Sequence, residues 1–521
     1  MRHVAELLED LRAAGVELWC DAGLLRYRAR KGVLTAERLE EIREAKAGIL
    51  AALSSEKRSR APVEPALERT GEEDDAPLSF IQEWFFGEYR RLSVPALHHL
   101  SCAFALQGHL HLPALQQATR ELLVRQSALR TRFAQVGDDV RTSVDPSIRD
   151  EIELLDLTGA HQSDREALAR DHYRSVFHEP LRLEHGRPVR VGLIKRDAEE
   201  HVLFIVLHHI VGDAWSLRVL LRDLVALYDA AVEGSAAALP RLPVRSCDLA
   251  RWERHVDADL REVLLEHWRA RFDGLPEDPF SLPPDENPVR DLPESSERFF
   301  AAAVSHDTVG GLEALARRTQ STVFCVLAAA VCALVKEWSG RDDGLMVVVR
   351  DGRDRTELHD LIGCCVTNWG LRVNFGACRS IEDLVKRVWQ TYCEDAPFMQ
   401  LPYYRLAPLL AADGRPSPPQ IVLNYWAGDG SSSPFRLDGA ASPVFRSARL
   451  LDWTPVHPFI DDRNMRFYIT FFQQPRSLSW IIRCSGRLFS DSTIDRVSQR
   501  LRDLLVKIAN DPQTALATLL R

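Results

Sequence analysis

Two adjacent histidines, His208 and His209, stand just ahead of an aspartate, Asp213, in the run His-His-Ile-Val-Gly-Asp-Ala-Trp-Ser. An imidazole is the side chain that trades a proton near neutral pH, so one histidine here is a candidate base. The aspartate would either act on substrate or brace the loop, and bracing is the expected role.

These residues must be held by the elements around them. From His201 to Leu207 the chain is a near-continuous apolar run, which predicts a strand covered on both faces. Successive strand side chains point to opposite faces, so His208 and His209 are expected to differ: one packs inward, the other meets a cavity. Beyond Gly212 the apolar residues Trp215, Leu217, Val219, Leu220 and Leu224 change to helical spacing, with Ser216 as candidate N-cap. The acid then sits in a tight strand-to-helix loop. Taken singly, each histidine reads as a satisfied core residue; it is the coincidence of the three groups that points to chemistry. A second pair, His98-His99, lacks a following acid at that spacing and precedes the strand-like Ser101–Leu106, so packing or surface is expected.

The run matches His-His-x-x-x-Asp-Gly, and with it the chain resembles condensation domains of nonribosomal peptide synthetases, which share the chloramphenicol-acetyltransferase-like fold. Further segments agree in order: Ser79–Phe85, Arg125–Phe133, Asp248–Trp252, Gly352-Arg353, Ile362–Arg372 and Asp395–Phe398. The resemblance covers about residues 77 to 521. Four departures stand out: Ala214 replaces Gly, Gln126 replaces His, Thr367-Asn368 inverts the usual order, and Met399 replaces Glu. The family's final Arg-Asp-x-x-x-x-Pro motif has no match near Arg415-Pro416-Ser417.

The resemblance implies an α+β fold of two chloramphenicol-acetyltransferase-like lobes in a V-shaped pseudodimer, with a tunnel between them for two carrier-borne pantetheine arms. It implies His209 as the catalytic residue, either general base or positioning group. His208, Asp213, Ala214, Trp215 and Ser216 give structural support, and Arg130 and Arg353 are the candidate partners of Asp213. The expected reaction is attack of an acceptor amine, carrier-bound or free, on a carrier-bound donor thioester. The alternatives are a catalytically silent condensation-like recruitment module, which Ala214, Thr367 and Met399 keep open, and an epimerization domain, disfavoured because no Glu-Gly-His-Gly-Arg segment is found.

Residues 1 to 53 read as a separate unit. Val4, Leu7, Leu8 and Leu11 have helical spacing up to Gly15; Glu17–Cys20 and Leu24–Ala29 alternate as a hairpin around Asp21-Ala22-Gly23; Thr35 caps a helix with Leu39, Ile42, Ala45, Ile49 and Leu53 on one face. This resembles a tubulysin-type N-terminal docking domain of αββαα form. By that resemblance its hairpin (Leu18, Trp19, Leu25, Arg26, Tyr27, Arg28 and Lys31) would pair with the C-terminal docking motif of an upstream synthetase, and its basic residues suit an acidic tail. Residues 54–76 read as a linker, 77–265 as the first lobe and 266–521 as the second.

Composition adds exclusions. With 66 basic and 75 acidic residues the net charge is −9, which carries no nucleic-acid footprint. No apolar run reaches the roughly 18 residues of a membrane span, and the N-terminus lacks a secretion signal's apolar core, so a cytoplasmic protein is expected. The ten cysteines show no Cys-x-x-Cys spacing, and no metal is expected. No intrinsic cofactor is expected either. No adenylation domain or carrier attachment site is recognised, so substrates would arrive on the phosphopantetheine arms of other proteins, and the chain fits an excised piece of a longer synthetase.

Overall fold

The structure is a computed structural model. It describes residues 62–70, 75–91, 98–137, 139–148, 152–275, 297–411, 421–427, 440–453 and 467–519, isolated residues between them, and in the N-terminal unit chiefly 16–21, 24–29 and 34–46. Lys31, the turn residues Ala22 and Gly23, and the Arg415–Ser417 segment lie outside the described residues.

In the N-terminal unit, strands Glu17–Asp21 and Leu24–Arg28 pair antiparallel, with Trp19 opposite Arg26 and Leu18 opposite Tyr27. Thr35 caps the helix Ala36–Glu44, its hydroxyl accepting from the Arg38 amide at 3.3 Å. Leu7, Leu11, Ile42 and Ile49, which lie on the predicted apolar faces, form a small core together with Val16.

The remainder is built on two large sheets. In the first, the predicted strand is Glu200–His208, paired antiparallel with His99–Gln107 on one side and Val189–Lys195 on the other. Glu153–Asp156 extends that sheet in parallel beyond Val189–Lys195. Every residue from Val202 to Leu207 is fully buried, because helices cover both faces of this strand. The opposite edge is closed by Arg449–Leu450, a two-residue strand from far along the chain that pairs with Phe104 and Ala105. The second sheet runs Glu297–Val304, Ser477–Ser485, Phe467–Gln474, Ile421–Ala427, Asp343–Arg350, Thr367–Asn374. Against it pack the helices His306–Arg318, Val323–Ser339, Ile381–Asp395 and Asp491–Asn510, whose apolar faces join one large core.

The halves interpenetrate. Phe80 belongs to the second-sheet core, whereas Ile362, Cys364 and Phe445 complete the first. The helix Ser246–Arg271 is continuous through the expected 265/266 boundary. The polar segment expected to act as a linker is, over residues 62–70, packed on the body: Leu67 is 4% exposed, and the Thr70 amide and hydroxyl both donate to Asp248. No single helix among the described residues is long and apolar enough to cross a membrane.

Candidate active site

Strand Glu200–His208 ends where its apolar run ends, and the chain turns at once into a 3-10 turn, His209–Val211. His209 is therefore off the strand, and the two histidines are separated by that turn and not by strand alternation. His208, 2% exposed, is the N-cap of the turn: its Nδ1 accepts from the Ile210 amide at 3.1 Å. Burial holds its pKa well below the usual histidine range. Its ring holds the backbone of the turn.

His209 keeps part of its surface accessible. Its amide donates to the His98 carbonyl at 2.7 Å, and its ring stacks on Phe85 at 4.7 Å between centroids. Desolvation lowers its pKa, while the carbonyls of His209 and Gly212 and the charge of Asp213 oppose that shift. The Cys364 sulfur lies 3.7 Å from Nδ1. Burial keeps that thiol protonated.

The turn is also gripped from outside. Gln82, buried on the helix Phe80–Arg91, donates from Nε2 to the Ile210 carbonyl at 3.2 Å. Its Oε1 accepts from the Ser79 amide at 3.0 Å. Gln82 and Phe85 are one helical turn apart, so one face of this helix supports both the backbone and the ring of the turn. Their motif was visible in the sequence; its role was not.

Asp213 is the N-cap of helix Ala214–Glu233, and Ser216 is not the cap but the residue whose amide the cap holds, at 2.7 Å. The carboxylate, 3% exposed, also accepts from the Cys365 amide at 3.0 Å and from Arg353 at 3.0 and 3.2 Å. Arg353 is thus the partner. Arg130 is not: its guanidinium donates to the carbonyls of Leu123, at 2.8 Å, and Asp145. It ties the end of helix Leu112–Arg125 to the neighbouring strand. Arg353 donates further to the carbonyls of Leu358, Leu361 and Gly363, so it clamps the loop of the second half onto the aspartate. Gly352, just before it, has φ +64°, and a Cβ there would lie 1.9 Å from the Cys365 carbonyl oxygen; the clamp's approach requires glycine.

Ala214 opens the helix with ordinary negative φ, so its backbone makes no demand for glycine. Trp215 donates from Nε1 to the His359 carbonyl at 2.9 Å and lies beneath Arg353. Gln126, 1% exposed, donates to Asp223 and to the Asp360 carbonyl, and accepts from the Ile362 amide at 3.0 Å. The amide side chain therefore makes bonds in both directions to the same loop. His98-His99 is not remote from the site. His99 faces His208 across the strand pair and anchors to the Phe177 carbonyl at 2.7 Å, while His98 supplies the carbonyl that holds His209.

Comparison with known proteins agrees with this geometry. A family profile described as condensation domain matches residues 72–520, and one described as TubC N-terminal docking domain matches residues 4–54. The chain is 29% identical over 466 residues to phosphinothricin tripeptide synthetase PhsC of Streptomyces viridochromogenes, covering 88% of this chain and 41% of that protein. It is 26% identical over 457 residues to malpinin synthetase of Mortierella alpina, covering 87% of this chain and 6% of that protein. The chain thus spans less than half the length of either relative. Among solved structures it is similar to the X-domain in complex with OxyB from teicoplanin biosynthesis (TM-score 0.73, 21% identity, 88% of this chain and 98% of that one). It is also similar to the first condensation domain of the calcium-dependent antibiotic synthetase (TM-score 0.65, 17% identity, 85% and 98%). These likenesses give the fold, two chloramphenicol-acetyltransferase-like lobes with an N-terminal docking unit. The chain belongs to the condensation-domain family of nonribosomal peptide synthetases.

Proposed function

We propose that this chain forms an amide bond by attack of an acceptor amine, carrier-bound or free, on a donor acyl or peptidyl thioester held by a carrier protein, with His209 as the catalytic residue. The observation that carries the reading is the pinning of a partly accessible imidazole: backbone to His98, ring to Phe85, and turn to Gln82. A neutral imidazole keeps one unprotonated ring nitrogen, and that nitrogen accepts the proton as the new C–N bond forms. The tetrahedral oxyanion then collapses, the C–S bond breaks, and the imidazolium returns the proton to the departing thiolate. The products are an amide and a free pantetheine thiol. Because the pKa of His209 is lowered, the ring is neutral at pH 7 and ready to accept. A thioester is already activated, so juxtaposition supplies much of the rate, about 7–11 kcal/mol in well-oriented systems.

The donor, and a carrier-bound acceptor where one is used, are delivered on phosphopantetheine arms, and the hairpin Glu17–Asp21 with Leu24–Arg28 receives the docking motif of an upstream synthetase protein. The test combines loaded donor and acceptor carriers with wild type and His209→Ala, read by intact mass spectrometry. Wild type should give the amide, and the variant should lose product formation while still folding and binding both carriers. Equal turnover by the variant removes His209 from the chemistry. Carrier binding by wild type without turnover would favour a recruitment module, and loss of donor stereochemistry an epimerase.

A further inference from the structure

Residues 62–70 fall between the two regions that family profiles match, 4–54 and 72–520, so no family assignment covers them. They are nonetheless seated against the loop that holds the site. Leu67, 4% exposed, shares one small apolar cluster with Val244, Leu249, Leu358, Leu361 and Cys365. Three members of that cluster bear directly on the clamp: the carbonyls of Leu358 and Leu361 accept from Arg353, and the Cys365 amide donates to Asp213. Polar contacts fix the strap on both sides of Leu67. Glu64 pairs with Arg355 at 2.5 Å and accepts from Gln400 at 2.9 Å, and the Pro65 carbonyl accepts from Trp252 at 2.8 Å. At the other end the Thr70 amide and hydroxyl reach Asp248, and the Thr70 carbonyl accepts from Arg245 at 2.8 Å. The Arg355 guanidinium that pairs with Glu64 also lies 4.8 Å from the Trp252 ring centroid.

We propose that this strap is a positioning element for the reaction: Leu67 and Glu64 set the loop from Gly352 to Cys365, and through the Arg353–Asp213 pair they set the turn that carries His209. The proposal rests on the reading of His209 as catalytic. The causal chain is short. Arg353 has one geometry in which it reaches Asp213, Gly363, Leu358 and Leu361 together. Removing the apolar weight on Leu358 and Leu361 lets two of those four acceptors drift, and a displacement of about 1 Å at a reacting group costs on the order of a hundredfold in rate.

The experiment uses the full chain with Leu67→Ala, Leu67→Met and the milder Glu64→Ala. Two amides report on the clamp whatever the activity: Ser216 and Cys365, both bonded to Asp213. Hydrogen exchange at these is compared with that at Val206 in the buried central strand. In Leu67→Ala the two clamp amides should exchange about tenfold faster with Val206 unchanged. Amide formation should show kcat lowered about tenfold with KM within about twofold. Leu67→Met should restore both, and Glu64→Ala should move both in the same direction by less. Unchanged exchange at Ser216 and Cys365, or equal acceleration at Val206, overturns the positioning role. Should wild type form no amide with any donor and acceptor, the functional reading fails, and the exchange data decide the strap separately.

Discussion

Asp213→Ala is the substitution whose cost the structure defines best. The carboxylate is 3% exposed and meets four donors, the Ser216 amide and hydroxyl, the Cys365 amide and Arg353. Alanine strands the Arg353 guanidinium, itself 1% exposed, without its counter-ion. Leaving one member of a buried pair costs about 3–5 kcal/mol. Loss of the N-cap adds about 1 kcal/mol, and the orphaned Cys365 amide about 1–3 kcal/mol. These share one carboxylate and do not sum, so the expected loss is on the order of 5 kcal/mol, against total stabilities of about 5–15 kcal/mol. For a lobe-sized folding unit this is a fall in Tm of roughly 10–20 °C. Thermal melts of Asp213→Ala and of the double variant Asp213→Ala/Arg353→Met separate the terms. The double variant strands no charge but also removes the donor to the Leu358, Leu361 and Gly363 carbonyls, so a double variant that melts above the single one shows that the stranded charge outweighs those bonds. A single variant that melts within about 3 °C of wild type refutes the bracing argument. If it is also inactive, the aspartate belongs in the chemistry.

Three further outcomes are expected. His99 is fully buried, and burial pushes its pKa down to about 4. Above pH 6.5 both states are neutral there; below it the unfolded chain takes the proton first, so stability should fall from pH 6.5 to about 4 by about 3 kcal/mol from this residue alone. Melts across that range should show the slope, and His99→Asn, which keeps a donor for the Phe177 carbonyl, should flatten it. Gln126→Ala orphans the Ile362 amide and frees Asp360, and should cost about 1–3 kcal/mol in a denaturant titration, whereas Gln126→His, with one donor and one acceptor, should cost less. Amide formation, read against pH, should hold its rate below the ordinary histidine range, since the lowered pKa of His209 keeps the ring neutral there; a rate that falls with a midpoint near 6.5 contradicts this.

Periodicity and motif order made much of the architecture legible. The strand ending at Leu207 follows from its near-continuous apolar run, and the N-terminal hairpin and capped helix follow from alternation and 3.6-residue spacing. The turn that carries His209 was harder to read. Sequence placed His209 on the strand and the cap at Ser216, because a single 3-10 turn leaves no periodic trace; the shift moved the cap back to Asp213. Arg353 and Arg130 are equally plausible partners on paper, since which arginine reaches a carboxylate far away in the chain is decided by packing. Residues 62–70 show the same limit: a polar, proline-bearing segment reads as a tether, and only the receiving groove formed by Val244, Leu249 and Leu361 makes Leu67 a core residue.

The edge strand Arg449–Leu450 pairs with Phe104 and Ala105, about 345 positions earlier in the chain. At about 5–20 residues per second, a ribosome exposes the waiting edge for tens of seconds before its partner emerges. During synthesis the first lobe is therefore an unfinished sheet with a bare hydrogen-bonding row, which invites wrong pairing. Chains halted before position 449 should stick to one another far more readily than the finished product.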